Sequence, residues 1–159
     1  MPKLSVYVET SVWSHAFADD APESREATRR FLDDARDGTY ELFISPIVLM
    51  EIAGASEELA ARLRGLIEEL APVVLDFDED MDRLAQDFLE RGVVPPSKIG
   101  DAQHVAAAVA SELDVLVSWN YRHLVNVRRR EEFHQISVMN GYYKPLQIVT
   151  PPEVANESQ

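Results

Sequence analysis

Two hydrophobic periods alternate along this chain, and that alternation limits its architecture more than any other feature. Short apolar, β-branched runs stand at residues 4–8, 41–44, 73–75, 115–117 and 147–149. Between them, apolar residues recur at helical spacing: Thr28, Phe31, Leu32 and Ala35; Leu59, Leu63, Leu66, Ile67 and Leu70; Met81, Leu84, Ala85, Phe88 and Leu89; Ala102, Val105, Ala106 and Val109. Strands separated by helices pair in parallel through helical crossovers, so the predicted fold is α/β, a three-layer sandwich with a mostly parallel central sheet flanked by helices. The length of 159 residues, 46% of them hydrophobic, suits one core and leaves no room for a second. A single domain is therefore predicted over residues 1–152, and residues 153–159 read as a disordered tail.

The absence of cysteine removes disulfide scaffolds, thiolate metal sites and cysteine nucleophiles together, and it fits a reducing, cytoplasmic setting. No signal peptide is expected before the first strand. No apolar run reaches the length of a membrane span, so no membrane association is expected. Net charge is −13, from 28 acidic and 15 basic residues. Such a chain cannot coat nucleic acid non-specifically, because that affinity comes from neutralised phosphates. A small catalytic footprint stays open, since bound divalent cations or a local basic run can invert the field. Arg128, Arg129 and Arg130 form the one basic cluster, in a helix predicted over 121–132, and are the candidate nucleic-acid-facing edge.

Certain carboxylates stand where chemistry is possible. Glu9, followed by Thr10 and Ser11, directly leaves the first buried strand, at the end where open α/β sheets build sites. Glu51 lies in a helix opened by Ser45-Pro46 and apolar almost all round. A buried carboxylate there is costly unless it is paired, protonated or bound to a cation. Asp101 falls in the first turn of a helix that Pro95-Pro96 delays and Ser97 is placed to cap, where the helix dipole favours its ionised form. Ser118 and Asn120 leave the fourth strand at the same sheet edge as Glu9. Carboxylates so scattered converge only by folding. Hard oxygen donors without cysteine or a paired-histidine spacing suit Mg²⁺ or Mn²⁺, not zinc. His104 shares a helix face with Asp101 and is placed to orient it or a substrate, although core packing is the plainer reading. The acidic run 76–80 has calcium-loop spacing, yet Met81 stands where the turn needs glycine, so it reads as a helix start.

These segments, in this order, resemble the PIN-domain ribonucleases, and especially the small VapC-type toxins of bacterial and archaeal toxin–antitoxin pairs. Val6-Tyr7-Val8-Glu9-Thr10-Ser11-Val12 is similar to that family's opening strand and acidic turn. Ser45-Pro46-Ile47-Val48-Leu49-Met50-Glu51 resembles its acid-bearing helix, and Asp101-Ala102-Gln103-His104-Val105-Ala106 its Asp-Ala-x-His-x-Ala helix. Leu116-Val117-Ser118-Trp119-Asn120 resembles its last acidic corner, and Ile148-Val149-Thr150-Pro151 its closing strand. The resemblance implies a PIN-like sandwich and a divalent-metal-dependent endoribonuclease that leaves 3′-hydroxyl and 5′-phosphate ends. It implies that Glu9, Glu51, Asp101 and Asn120 hold Mg²⁺ or Mn²⁺, with Thr10 or Ser118 contacting phosphate, and that the partners are an RNA substrate, a cognate antitoxin protein and a second copy in a homodimer. Two positions depart from the family pattern: glutamate replaces the usual aspartate at Glu9, and Asn120 stands where many members carry aspartate. Three carboxylates suit one ion better than two.

Two rivals remain at this stage. One is a PIN-fold RNA- or protein-binding module whose metal site is weakened, kept alive by Glu9 and Asn120. The other is a phosphatase of another α/β family, centred on Asp76 and Asp78.

Overall fold

The computed structural model describes residues 2–157, with side chains through Val154. Its strands β1 (Leu4–Val8), β2 (Tyr40–Ile44), β3 (Val73–Val74), β4 (Val115–Val117) and β5 (Gln147–Val149) form one sheet in the order β3-β2-β1-β4-β5. All four pairings are parallel, as the alternation requires, because a parallel neighbour needs a long crossover. The helices are α1 (Thr10–His15), α2 (Pro22–Arg36), α3 (Pro46–Ala53), α4 (Glu57–Leu70), α5 (Glu79–Glu90), α6 (Ile99–Ala110), α7 (Val127–Met139) and α8 (Pro151–Glu157).

From β1 the chain steps outward to β2 and β3, then returns past β1 to β4 and β5. Right-handed crossovers in opposite directions place their helices on opposite faces. The packing agrees: α2 lies against α1 and α8, whereas α5 lies against α6 and α7. Covered on both sides, Val6, Tyr7, Val8, Leu116 and Val117 are fully buried. The reversal also opens a crevice at the carboxyl ends of β1 and β4, the switch point where such sheets hold ligands. Helix starts follow local chemistry: Ser45, Ser56, Asp78 and Asn126 each accept a backbone N–H of the helix they cap. Asp78 is thus spent as the cap of α5 and does not form a phosphatase centre with Asp76. Among the described residues, no helix is long and apolar enough to cross a membrane.

Four local expectations change. Ser97 does not cap α6; a 3-10 turn, Pro96–Lys98, runs into the helix, and Lys98 at the cap makes no side-chain bond. Nor is α6 buried on one stripe only, for His104, Ala107 and Ala108 are fully buried too. Its alanines let α5, α3 and β4 approach it from several sides. Residues 121–126 are turns, and the helix expected there begins at Val127 and runs to Met139. Asn126 explains the shift: its amide donates to the Tyr121 and Arg122 carbonyls while its oxygen caps α7, so side-chain bonds replace helical ones. Helix α3 is covered on one side only, by α1, α4 and α6, leaving Leu49, Met50 and Glu51 toward solvent.

A further change concerns the tail. Residues 153–157 are helical, and Val154 is fully buried, where α8 packs on α2; residues 158–159 lie outside the described residues. The signal was Thr150-x-x-Glu153, a capping box in which the Glu153 carboxylate accepts the Thr150 N–H at 2.8 Å, with prolines tolerated in the first turn. Val154→Ala is expected to lower unfolding free energy by about 1.5 kcal/mol or more in denaturant titrations, from two buried methyls plus a cavity. A disordered tail would leave it unchanged.

Candidate metal centre

Four elements deliver side chains to the crevice. Glu9 is the residue after β1 and precedes α1, and its N–H still bonds the Val117 carbonyl at 3.1 Å. That ladder bond fixes its backbone, and the carboxylate is buried, only 5% exposed. Oε1 of Glu9 accepts the hydroxyls of Ser11 and Ser118, each at 2.6 Å. Glu51 projects from the last turn of α3, half exposed, and its Oε1 accepts the Thr10 hydroxyl at 2.6 Å and His104 Nε2 at 2.5 Å. Asp101 enters from the first turn of α6, and the Asn120 amide donates to its Oδ2 at 3.2 Å. The Asn120 oxygen in turn accepts the His123 N–H at 3.0 Å, holding the turn after β4.

His104 supports the site from beneath. A carboxylate only accepts, so Nε2 must carry the proton given to Glu51; in the neutral ring Nδ1 then accepts the Tyr7 hydroxyl at 2.6 Å. The Tyr7 oxygen accepts from Ser45 at 2.8 Å, and Ser45 Oγ accepts the Ile47 N–H at 3.2 Å. This buried chain ties Glu51 to β1 and to the start of its own helix. Gly100 contributes by what it lacks: a Cβ there would stand 3.0 Å from Glu51 Oε2, so a larger residue in the first turn of α6 would press the carboxylate out of place by a few tenths of an ångström. One oxygen each of Glu9 and Glu51 and a ring nitrogen of His104 lie within 4.8 Å of one another. Because both nitrogens of His104 are committed within the fold, the free donors are the remaining carboxylate oxygens.

Charge accumulates here, offset in part at Glu51 by the His104 imidazole 2.5 Å away. Among the described residues, no lysine or arginine forms an ion pair with Glu9, Glu51 or Asp101. Burial, and next the charge of Glu9, push the Asp101 carboxyl up to about 6. Burial also works against ionised Glu51, but the His104 and Thr10 bonds outweigh it and hold that carboxyl below its ordinary value. For His104, burial is outweighed by the Glu51 bond and the surrounding carboxylates, so the imidazole is raised. An oxygen-rich carboxylate cluster that no lysine or arginine neutralises fits a hard divalent cation.

Glu9, Glu51, Asp101 and Asn120 therefore come together. Thr10 and Ser118 join them in another role, since each hydroxyl proton is committed to a carboxylate. The arginine run does not form one face. Arg129 donates to the Val93 carbonyl and Arg130 to the Ile148 carbonyl at 3.1 Å, tying α7 to its neighbours. Arg128 alone extends into solvent, 3.5 Å from Glu132. The sequence reading passed over Ser11, Tyr7 and Gly100; only the position of Ser11, two residues after Glu9 at a strand end, carried any signal.

A parallel sheet with an acidic crevice at its switch point defines the class: an α/β protein with a carboxylate cluster that could hold a metal ion. The PIN domain model matches residues 6–129, and the chain belongs to the PIN domain family. A search of curated protein sequences finds no match. Matching solved structures include VapBC2 from Rickettsia felis, determined bound to a DNA fragment from their promoter, at 16% identity and a TM-score of 0.53, covering 75% of this chain and 90% of that chain.

Asp101 yields a pH test with a definite sign. Its folded carboxyl, near 6, binds a proton more tightly than the unfolded one near 3.8. Its contribution is thus fully present below pH 4 and is lost as pH rises through 6. With chelator present, Asp101→Asn should match the wild type near pH 4 and exceed its stability above pH 7 by about 1–2 kcal/mol, discounted for partial exposure. Melting curves across that range check this; a pH-independent difference would contradict it.

Proposed function

We propose that this protein is a cytoplasmic Mg²⁺- or Mn²⁺-dependent endoribonuclease, the toxin of a toxin–antitoxin pair, with an antitoxin protein as partner. The convergence of Glu9 and Glu51, with Asp101 close enough to feel the charge of both and, among the described residues, no lysine or arginine paired to any of the three, carries the reading. Membership of the PIN family and the likeness to the VapBC2 structure support it. The oxygens of Glu9, Glu51 and Asp101, with Asn120 beside them, would hold the cation, and three carboxylates suit one ion better than two. Bound there, such an ion supplies an activated water and neutralises charge that develops on the phosphodiester.

The chain's own residues prepare that event. Ser11 and Ser118 hold Glu9 by one oxygen and leave the other for the centre. Thr10 and His104 do the same for Glu51. Donors fixed in advance cost no reorganisation when the charge develops. Arg128, solvent-exposed on α7, is the one residue of the arginine run left to meet a phosphate.

Purified protein freed of any partner should cleave single-stranded RNA with Mg²⁺ or Mn²⁺ and not with chelator. Glu51→Gln and Asp101→Asn should each reduce the rate at least about 100-fold, as expected for loss of a group that stabilises the transition state. Cleavage by either variant at the wild-type rate would falsify the assignment.

Asn120 gives a finer test. Its amide faces Asp101 at 3.2 Å, so Asn120→Asp replaces a hydrogen bond with two like charges. Metal-free melting temperature should fall, while calorimetric titration should show tighter Mn²⁺ or Mg²⁺ binding. Movement of both quantities in the same direction would place Asn120 outside the metal centre.

A further inference from the structure

We propose that the open groove beside the carboxylates, walled by His15, Trp119 and Tyr121, takes an unpaired nucleobase of the RNA strand that is cut. The inference rests on the nuclease reading and names the feature of the substrate that the groove would recognise. The groove measures about 850 Å³, and the first turns of α2 form its far wall; among the described residues, Glu23 is the only acidic or basic side chain at fixed charge along it. The Trp119 indole is set in place because its N–H donates to Thr28 on α2 at 2.8 Å. His15 lies 5.7 Å from it, ring centre to ring centre and tilted by 35°, and Tyr121 lies 6.4 Å away at 58°. Tyr121 is 59% exposed, so a wide aromatic face is left uncovered.

This wall is coupled to the metal centre through one residue. The Trp119 backbone N–H donates to the Ser11 hydroxyl at 2.9 Å, and that hydroxyl donates to Glu9. The Ser11 carbonyl bonds His15 Nδ1 at 2.7 Å. Asn120, which donates to Asp101, stands between Trp119 and Tyr121 in the chain. A nucleotide stacked in the groove therefore has its backbone beside the carboxylates.

The chemistry favours a base over any other part of RNA. Flat aromatic faces meet the π-face of a base and offer a phosphate nothing. At a net charge of −13, this chain gains little from phosphate neutralisation, so stacking supplies affinity that its electrostatics withhold. Bases in a duplex are already stacked on one another and cannot enter, which selects unpaired RNA.

Tryptophan fluorescence reads the groove directly, because Trp13, the other of the two tryptophans, is fully buried. The full chain, with chelator to prevent cleavage, is titrated with a short unstructured RNA of mixed bases, with the same backbone made abasic, and with a duplex. The base-bearing strand should quench the signal, and Tyr121→Ala should weaken its binding about fivefold or more, while Tyr121→Phe, which keeps the ring, stays near wild type. Abasic and duplex RNA should bind more weakly and ignore the substitution. Abasic RNA binding as tightly as base-bearing RNA, indifference to Tyr121→Ala, or no quenching by any base-bearing strand would each overturn the inference. So would an effect of Tyr121→Ala confined to binding of a protein partner, which would assign the groove to a peptide. The two readings separate cleanly. Glu51-dependent cleavage whose KM ignores Tyr121→Ala removes the stacking site and keeps the nuclease; Tyr121-dependent binding without cleavage in Mg²⁺ or Mn²⁺ removes the nuclease and keeps the site.

Discussion

Mutual repulsion among Glu9, Glu51 and Asp101 is the constraint around which the crevice is built. Three carboxylates gathered without a lysine or arginine would drift apart or take up protons; the carboxyl of Asp101 is raised first by its burial and next by the charge of Glu9. What holds them is a set of neutral donors, the hydroxyls of Ser11 and Ser118 on Glu9 and of Thr10 on Glu51, with the His104 imidazole behind it. Neutral donors satisfy part of each carboxylate without cancelling its charge. An arginine would have stabilised the empty site and closed it to a cation. The fold thus keeps a local instability that a bound divalent ion would relieve, as sites that must bind and act often do.

The scaffold makes that arrangement rigid at three points. The ladder bond from Glu9 to Val117 keeps the first carboxylate on the axis of the sheet. The chain through His104, Tyr7 and Ser45 anchors the second one to β1, although α3 itself faces solvent over much of its surface. The third depends on close approach: the alanines of α6 let it sink between its neighbours, and Gly100 leaves the space that Glu51 fills. A helix built of larger residues would bury as much area and hold Asp101 farther from the other two.

The arginine run teaches a different lesson. Three consecutive basic residues look like one patch when written in a line, but on a helix consecutive side chains point about 100° apart. Arg129 and Arg130 accordingly turn inward to carbonyls of the polypeptide, and only Arg128 remains outside. The aromatic groove is the reverse case. His15, Trp119 and Tyr121 have no spacing that would mark them as a set, and they meet only because β1 and β4 are neighbours in the sheet.

The sequence by itself determined the parallel α/β class, the strands and most helix starts, and it placed Glu9 and Asn120 at strand ends, because hydrophobic period, capping chemistry and strand-end position are all local properties of the chain. Family resemblance added the order in which those residues occur. Only the tertiary structure decided that Ser118 and Thr10 serve carboxylates, that His104 underpins Glu51, that Gly100 is a spacer and that Glu51 lies at a half-open surface. It also decided that α8 is an ordered helix docked on α2, although Thr150-x-x-Glu153 had encoded its start. The division has one physical reason. A helix or strand is fixed by neighbours three or four residues away, whereas the state of a buried polar group depends on partners 41, 53 and 109 residues distant, and no pattern along the chain records which of them folding will bring within hydrogen-bond reach.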